Sequence, residues 1–158
     1  MTKWLIAVFG AAALLASAPA SAQQMAGFYA GAEVGQADVG NDDDTAIKVL
    51  GGYQFHTNLA AEVAYSMLFD KGGSEVNALE VVAVGLFPLA NQFSLYGKLG
   101  LANVDVETPV GSDDKTELTF GLGVQYDASR QLGIRAGWQR YDTDEEVDLF
   151  SVGFVYRF

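Results

Sequence analysis

Val147-Asp148-Leu149-Phe150-Ser151-Val152-Gly153-Phe154-Val155-Tyr156-Arg157-Phe158 closes the chain. It alternates strictly. Phe150, Val152, Phe154, Tyr156 and Phe158 fall on one side of an extended segment, and Ser151, Gly153 and Arg157 on the other. Side chains of a β-strand point to opposite faces with period two, so this is one apolar face set against one polar or small face. Its length is near the ~9–11 residues that a tilted strand needs to cross a bilayer.

Working back from this run, the same period recurs seven more times. Gly27 to Gln36 sets Phe28, Ala30, Ala32 and Val34 against Tyr29, Gly31, Glu33 and Gly35. Thr45 to Phe55 sets Ile47, Val49, Gly51, Tyr53 and Phe55 against Lys48, Gly52 and Gln54. Leu59 to Leu68 carries Glu62 and Ser66 on its polar face, and Val76 to Phe87 is apolar on both faces apart from Asn77 and Glu80. Phe93 to Val104 opposes Phe93, Leu95, Leu99 and Leu101 to Ser94, Tyr96 and Lys98. Thr116 to Tyr126 shows Glu117, Thr119 and Gln125 on its polar side, and Gln131 to Tyr141 shows Arg135 and Gln139. Short connections (His56 to Asn58, Pro88 to Gln92, Asp127 to Arg130) alternate with longer acidic or glycine-rich ones (Ala37 to Asp44, Phe69 to Glu75, Asp105 to Lys115, Asp142 to Glu146).

The first 22 residues read differently. Lys3 precedes an apolar run from Trp4 to Ala16, and Ala20-Ser21-Ala22 supplies small residues for a signal peptidase. The run is short for a spanning helix, which makes a retained anchor the weaker alternative. Cleavage after Ala22 is expected, leaving residues 23–158 as one domain. Removing Lys3 leaves eight basic against 20 acidic residues, a net charge of −12. That argues against a nucleic-acid partner, because phosphate contacts need Lys and Arg. With no cysteine there is neither a disulfide nor a thiolate metal site.

No stretch of the mature chain holds 18 consecutive apolar residues, so a membrane could be crossed only by a closed barrel. Alternation alone leaves open a soluble barrel that hides its apolar face around a ligand. Two patterns favour the inverted arrangement. Phe28, Phe55, Phe87, Phe93, Tyr126, Tyr156 and Phe158 fall at the strand ends nearest the short connections, as in an interfacial girdle, with Tyr65, Trp138 and Phe150 toward the other level. The polar faces carry Glu33, Lys48, Glu62, Glu80, Lys98, Glu117, Arg135 and Arg157, four acids and four bases. A confined interior requires such balance, since unpaired buried charge costs several kcal/mol per ion.

The terminal pattern Ser151-x-Gly153-x-x-Tyr156-x-Phe158 resembles the last-strand signal read by the barrel-assembly machinery. The chain as a whole resembles the transmembrane-domain family of outer-membrane protein A, which includes opacity and attachment-invasion type surface proteins. Gly27-Phe28-Tyr29-Ala30-Gly31, Gly51-Gly52-Tyr53 and Leu95-Tyr96-Gly97-Lys98-Leu99-Gly100 carry the likeness. It implies an all-β fold: an eight-stranded antiparallel transmembrane up-and-down β-barrel in the bacterial outer membrane, behind a cleaved signal peptide. The archetype's periplasmic peptidoglycan-binding domain has no counterpart in the run of strands, so cell-wall anchoring is not carried over.

Chemistry is sparse. Barrels that modify lipid A are expected to use a His with a Ser and a third partner. Here His56 is the sole histidine and sits in a short turn, and no Gly-x-Ser-x-Gly occurs. Gly121-Leu122-Gly123 lies inside a strand, where close packing explains it better than phosphate binding. Asp42, Asp43 and Asp44 are weak cation candidates without the spacing of a calcium loop, and no cofactor is expected. Outside the balanced set, 15 of the 16 remaining acids lie in or beside the four long connections, offset only by Lys71, Lys115 and Arg140. This rim is read as solvated charge, with divalent bridging to lipopolysaccharide phosphates as the sharper alternative. A non-enzymatic structural or surface-interaction barrel is the expected function, with lipids, lipopolysaccharide and a surface partner as candidate contacts. A narrow channel for ions or small solutes is the alternative.

Because the last strand is both signal and closing element, deleting Phe158 should lower outer-membrane levels and leave unfolded chain in the periplasm. Immunoblots of fractionated cells check this, and unchanged levels would remove the terminal-signal argument.

Overall fold

The computed structural model describes residues 26–39, 42–69, 75–90, 92–108, 111–142 and 146–158; the expected leader lies outside them. Eight strands follow in chain order: β1 (Gly27–Val39), β2 (Asp42–His56), β3 (Leu59–Phe69), β4 (Glu75–Ala90), β5 (Phe93–Thr108), β6 (Gly111–Asp127), β7 (Leu132–Asp142) and β8 (Val147–Arg157). Each pairs antiparallel with the next, and β8 pairs with β1 from Tyr29↔Arg157 to Val39↔Val147, closing the barrel. Closure leaves no edge, which is the condition for placing a sheet in lipid.

The stagger follows from the register. Stepping from partner to partner, Phe28 leads to Tyr53, Ala61, Ala83, Leu99, Phe120, Arg140 and Asp148, then back to β1 at Asp38, ten residues along. With ~3.3 Å rise per residue and ~4.8 Å between strands, that stagger over eight strands tilts them by about 40°.

The inversion of polarity is plain in the exposures. Phe87 is 71% exposed and Leu122 65%, whereas Glu80 is 0% and Glu62 1%. Soluble proteins bury charge rarely and expose large contiguous apolar surface rarely; here both occur together. The phase of β4 is set by Glu80: Ala78, Val82, Val84 and Leu86 join it inside, and Leu79, Val81 and Phe87 face out. The girdle stands at the end of the short connections, with edge-to-face contacts between Phe28 and Tyr53, Tyr53 and Phe55, and Tyr156 and Phe158.

Eight strands leave an interior only wide enough for side chains. Glycine makes that space usable. A Cβ on Gly52 would stand 2.6 Å from the Tyr29 hydroxyl and 2.8 Å from the Ala61 carbonyl oxygen. The Tyr96 ring likewise occupies the room left by Gly123 and Gly137. Apolar groups fill the rest: Leu50, Ala60, Val82, Val84, Leu86 and Val155 in one cluster, and Ala37, Ala46, Ala102 and Leu149 in another.

Two expectations need correction. The connection Ala37 to Asp44 is mostly ladder, since β1 runs to Val39 and β2 starts at Asp42. Asp105 to Lys115 is a hairpin paired out to Thr108↔Gly111. Antiparallel pairing continues past the apolar band because each ladder bond fixes the next register, which outweighs the poor strand propensity of Asp. At the other end β4 continues through Pro88 to Ala90, with a register irregularity between those two.

The refolded chain should keep a heat-modifiable gel mobility in detergent, and polarised infrared spectra of oriented bilayers should give a strand tilt near ~40°. Recovery as a water-soluble monomer would overturn the membrane fold.

Candidate functional site: the ion-paired lumen

Six of the eight charged residues read from the polar faces meet inside the barrel: Glu33, Lys48, Glu62, Glu80, Lys98 and Arg135, each at most 5% exposed. They form two layers. In the layer nearer the short connections, Arg135 on β7 reaches Glu62 on β3, four strands away, with a guanidinium-to-carboxylate hydrogen bond. Arg135 Nε also donates to Gln125 Oε1 at 2.7 Å, and the Tyr29 hydroxyl donates to Glu62 Oε1 at 2.7 Å. The guanidinium lies between the rings of Tyr29 and Tyr96, 5.4 and 5.2 Å from their centroids. Lys98 Nζ stands 3.1 Å from Glu62 and 3.7 Å from Glu33.

The outer layer is built on Lys48. Its ammonium donates to Glu80 at 2.9 Å and to Gln139 Oε1 at 2.7 Å. Gln139 Nε2 donates to Glu80 Oε2 and to Thr119, both at 2.8 Å, and the Tyr141 hydroxyl donates to Glu80 Oε2 at 2.8 Å. The first layer holds two carboxylates and two cations, the second one of each, so each is neutral in itself. Although Glu33 and Lys48 are register partners on β1 and β2, neither pairs with the other. Both reach other strands instead, Lys48 to Glu80 and Glu33 to Lys98 and Ser151.

The other two members lie elsewhere. Arg157 pairs with Asp127 at 2.8 Å at the mouth beside the short connections, where Gln125 also donates to Asp127 at 2.9 Å. Glu117 is half-buried toward the outer end of β6, opposite Ala102, and does not enter either layer. Alternation identifies the face of a strand but not the height of a residue, and height separates these two from the rest.

Residues of the expected terminal pattern contribute to the same site. Ser151 Oγ donates to Glu33 Oε2 at 3.1 Å. A Cβ on Gly153 would come 2.6 Å from the Glu33 Cα. Thus the inward residues of that pattern make room for, and hold, a lumen carboxylate, while Tyr156 and Phe158 face out. Tyr29, Gln125, Gln139, Thr119 and Tyr141 complete the network. Their hydrogen-bonding groups on polar-face positions were the available signal.

His56 is exposed at the end of β2. The side chains of Asp42 and Asp43 lie outside the described residues, and Asp44 is half-buried on the ladder opposite Ala37. Among the described residues no three His, Asp or Glu side chains converge as a metal ion requires.

The family model of the outer membrane protein β-barrel domain matches residues 8–158. Neisserial surface protein A superposes with a TM-score of 0.63 at 18% identity, covering 86% of this chain and 100% of its own. The N-terminal β-barrel domain of Pseudomonas aeruginosa OprF gives 0.68 at 15% identity, covering 84% and 99%. Ail, the attachment invasion locus protein of Yersinia pestis, solved with the heparin analogue sucrose octasulfate, gives 0.57 at 20% identity, covering 84% and 97%. No curated protein sequence matches the chain.

Arg135→Ala would strand Glu62 in the interior and should cost ~3–5 kcal/mol. Urea midpoints in lipid vesicles measure it. An effect below ~1 kcal/mol would show that water already solvates Glu62.

Proposed function

The chain belongs to the outer membrane protein β-barrel domain family, and from that premise we propose a non-enzymatic barrel of the bacterial outer membrane that acts structurally or through contacts made by its acidic outer rim. The observation that carries this reading is the occupied bore. Both neutral layers span the interior, and apolar side chains pack between and around them. A transport path would need continuous water where Arg135, Glu62, Lys98, Lys48 and Glu80 hold one another.

What remains for interaction is the outward surface. Its membrane belt meets lipid, and its rim meets the lipopolysaccharide layer and whatever lies beyond. Asp38, Asp105, Asp142 and Glu146 are exposed there, with Asp44 half-buried beside them. Negative potential of this density is screened beyond ~8 Å at physiological salt, so it acts on contacting partners only. It keeps barrels apart and disfavours polyanions, a contrast with the sulfated ligand in the Ail structure. Divalent cations bridging to lipopolysaccharide phosphates fit the same rim as diffuse, weak ligands. For catalysis the network offers no nucleophile beside a histidine base, since His56 lies outside the barrel wall's interior.

A second reading, a narrow ion channel, draws on the column of charge lining the interior. Planar-bilayer recording of the refolded protein decides between the two. The expected result is no sustained conductance from the parent chain, with brief or small openings from Arg135→Ala. Large, stable, open conductance from the parent would replace the structural reading with the channel.

A further inference from the structure

The lipid-facing band is not the same height all round. On β4 the outward residues from Leu89 through Phe87, Gly85, Ala83 and Val81 to Leu79 are apolar or small, and Asn77 follows. On β7 the corresponding run is Leu132, Ile134, Ala136 and Trp138, and then Arg140. At ~3.3 Å per residue and ~40° of tilt each residue climbs about 2.5 Å along the barrel axis, giving about 25 Å on β4 and about 15 Å on β7. β8, from Phe158 to Phe150, is intermediate at about 20 Å before Asp148.

The charges that end the short band are fixed in place. Arg140 Nε and its terminal nitrogen donate to the two oxygens of Asp148 at 2.7 and 2.9 Å, across the β7–β8 ladder where the two residues are register partners. Trp138 Nε1 donates to the same carboxylate at 3.1 Å, and Arg140 stacks 5.4 Å from the Trp138 ring. Glu146 stands 3.4 Å from the guanidinium. A lone arginine at this depth would extend its chain to reach water. Arg140 is clamped by its register partner and its own-strand tryptophan, so the polar surface has to come to it. Tryptophan, which favours the interface, stands lower on β7 than the outermost apolar residue of β4.

We propose that the outer leaflet is drawn inward along the β7–β8 face, its headgroup layer meeting the Trp138–Arg140–Asp148 cluster, while the β4 face spans a bilayer of ordinary thickness. Tilting the whole barrel does not produce the same match. The β4 band is longer at both ends, whereas a tilt moves both rims of one side in the same direction and so cannot make up a difference at both. Local thinning costs fractions of a kcal/mol per Å, so a short arc of lipid can supply it.

The inference rests on the membrane placement, and spin-label depth measurement separates the two. The natural chain has no cysteine, so Phe150→Cys on β8 and Leu79→Cys on β4 can each carry a single label. The register places position 150 about 2.5 Å lower on the axis than position 79. In dioleoyl phosphatidylcholine vesicles an upright barrel in a flat bilayer would therefore read position 150 as the deeper. The proposal inverts the order: the label at 150 reads shallower, with more collision with an aqueous nickel complex and less with oxygen. Adding Arg140→Leu together with Asp148→Leu should restore the ordinary order, and in thin dilauroyl vesicles the inversion should vanish without any variant. Position 150 reading deeper in the parent chain in dioleoyl lipid overturns the proposal. So does an inversion that persists in the Leu pair. Both labels fully open to the nickel complex would overturn the membrane placement itself.

Discussion

A bilayer interior offers a peptide group nothing to bond with, and every other feature of this chain answers that constraint. The backbone of each strand is paired on both sides, and the last strand returns to the first from Val39 down to Tyr29. Closure with eight strands and a ten-residue stagger then sets the bore and the tilt together. Once the outside is lipid, the apolar alternation faces out, and the polar half is confined to a space too narrow for solvent to screen it.

Charge and size inside are therefore coupled problems. Glycines at positions 52, 123 and 137 leave room for the Tyr29 and Tyr96 rings, and both rings lie against Arg135. Pairing within each layer offsets the desolvation of the ions, and the amides of Gln125 and Gln139 bridge donors to acceptors that the charges alone leave unmet. The network is long-range in sequence: Lys48 to Gln139 spans 91 residues and Ser151 to Glu33 spans 118. Few of these bonds can form until most strands are in place, which ties the stability of the interior to closure rather than to any single hairpin.

The strands, their order and their outward faces were legible because period two is a local property. Glu33, Lys48, Glu62, Lys98 and Arg135 each stand alone among small or apolar neighbours on their face, and the balance of signs marked them as interior. β4 was harder. Val81, Val82, Ala83 and Val84 are apolar on both faces, so only Glu80 marks the inside. Who bonds to whom was not legible at all. The ladder partner of Glu33 is Lys48, yet the stagger and the side-chain lengths send it to Lys98 and Ser151. Arg157 and Glu117 share the polar face with the others but stand near the two ends, and height along the axis enters only through the register. The strand extensions above the band were hidden by their acidic residues, which read as loop.

Those extensions alter what a partner meets. Past Leu101 the β5–β6 hairpin remains paired as far as Thr108 and Gly111, seven residues beyond the last outward leucine of β5, or about 17 Å. A loose loop of the same composition would have to surrender its backbone freedom to any molecule that grasped it, at ~1–2 kcal/mol for each residue ordered. A ribbon already ordered by its own ladder has surrendered most of that during folding. Recognition at its tip then begins from a rigid scaffold, and the affinity of a contact there is reduced little by ordering.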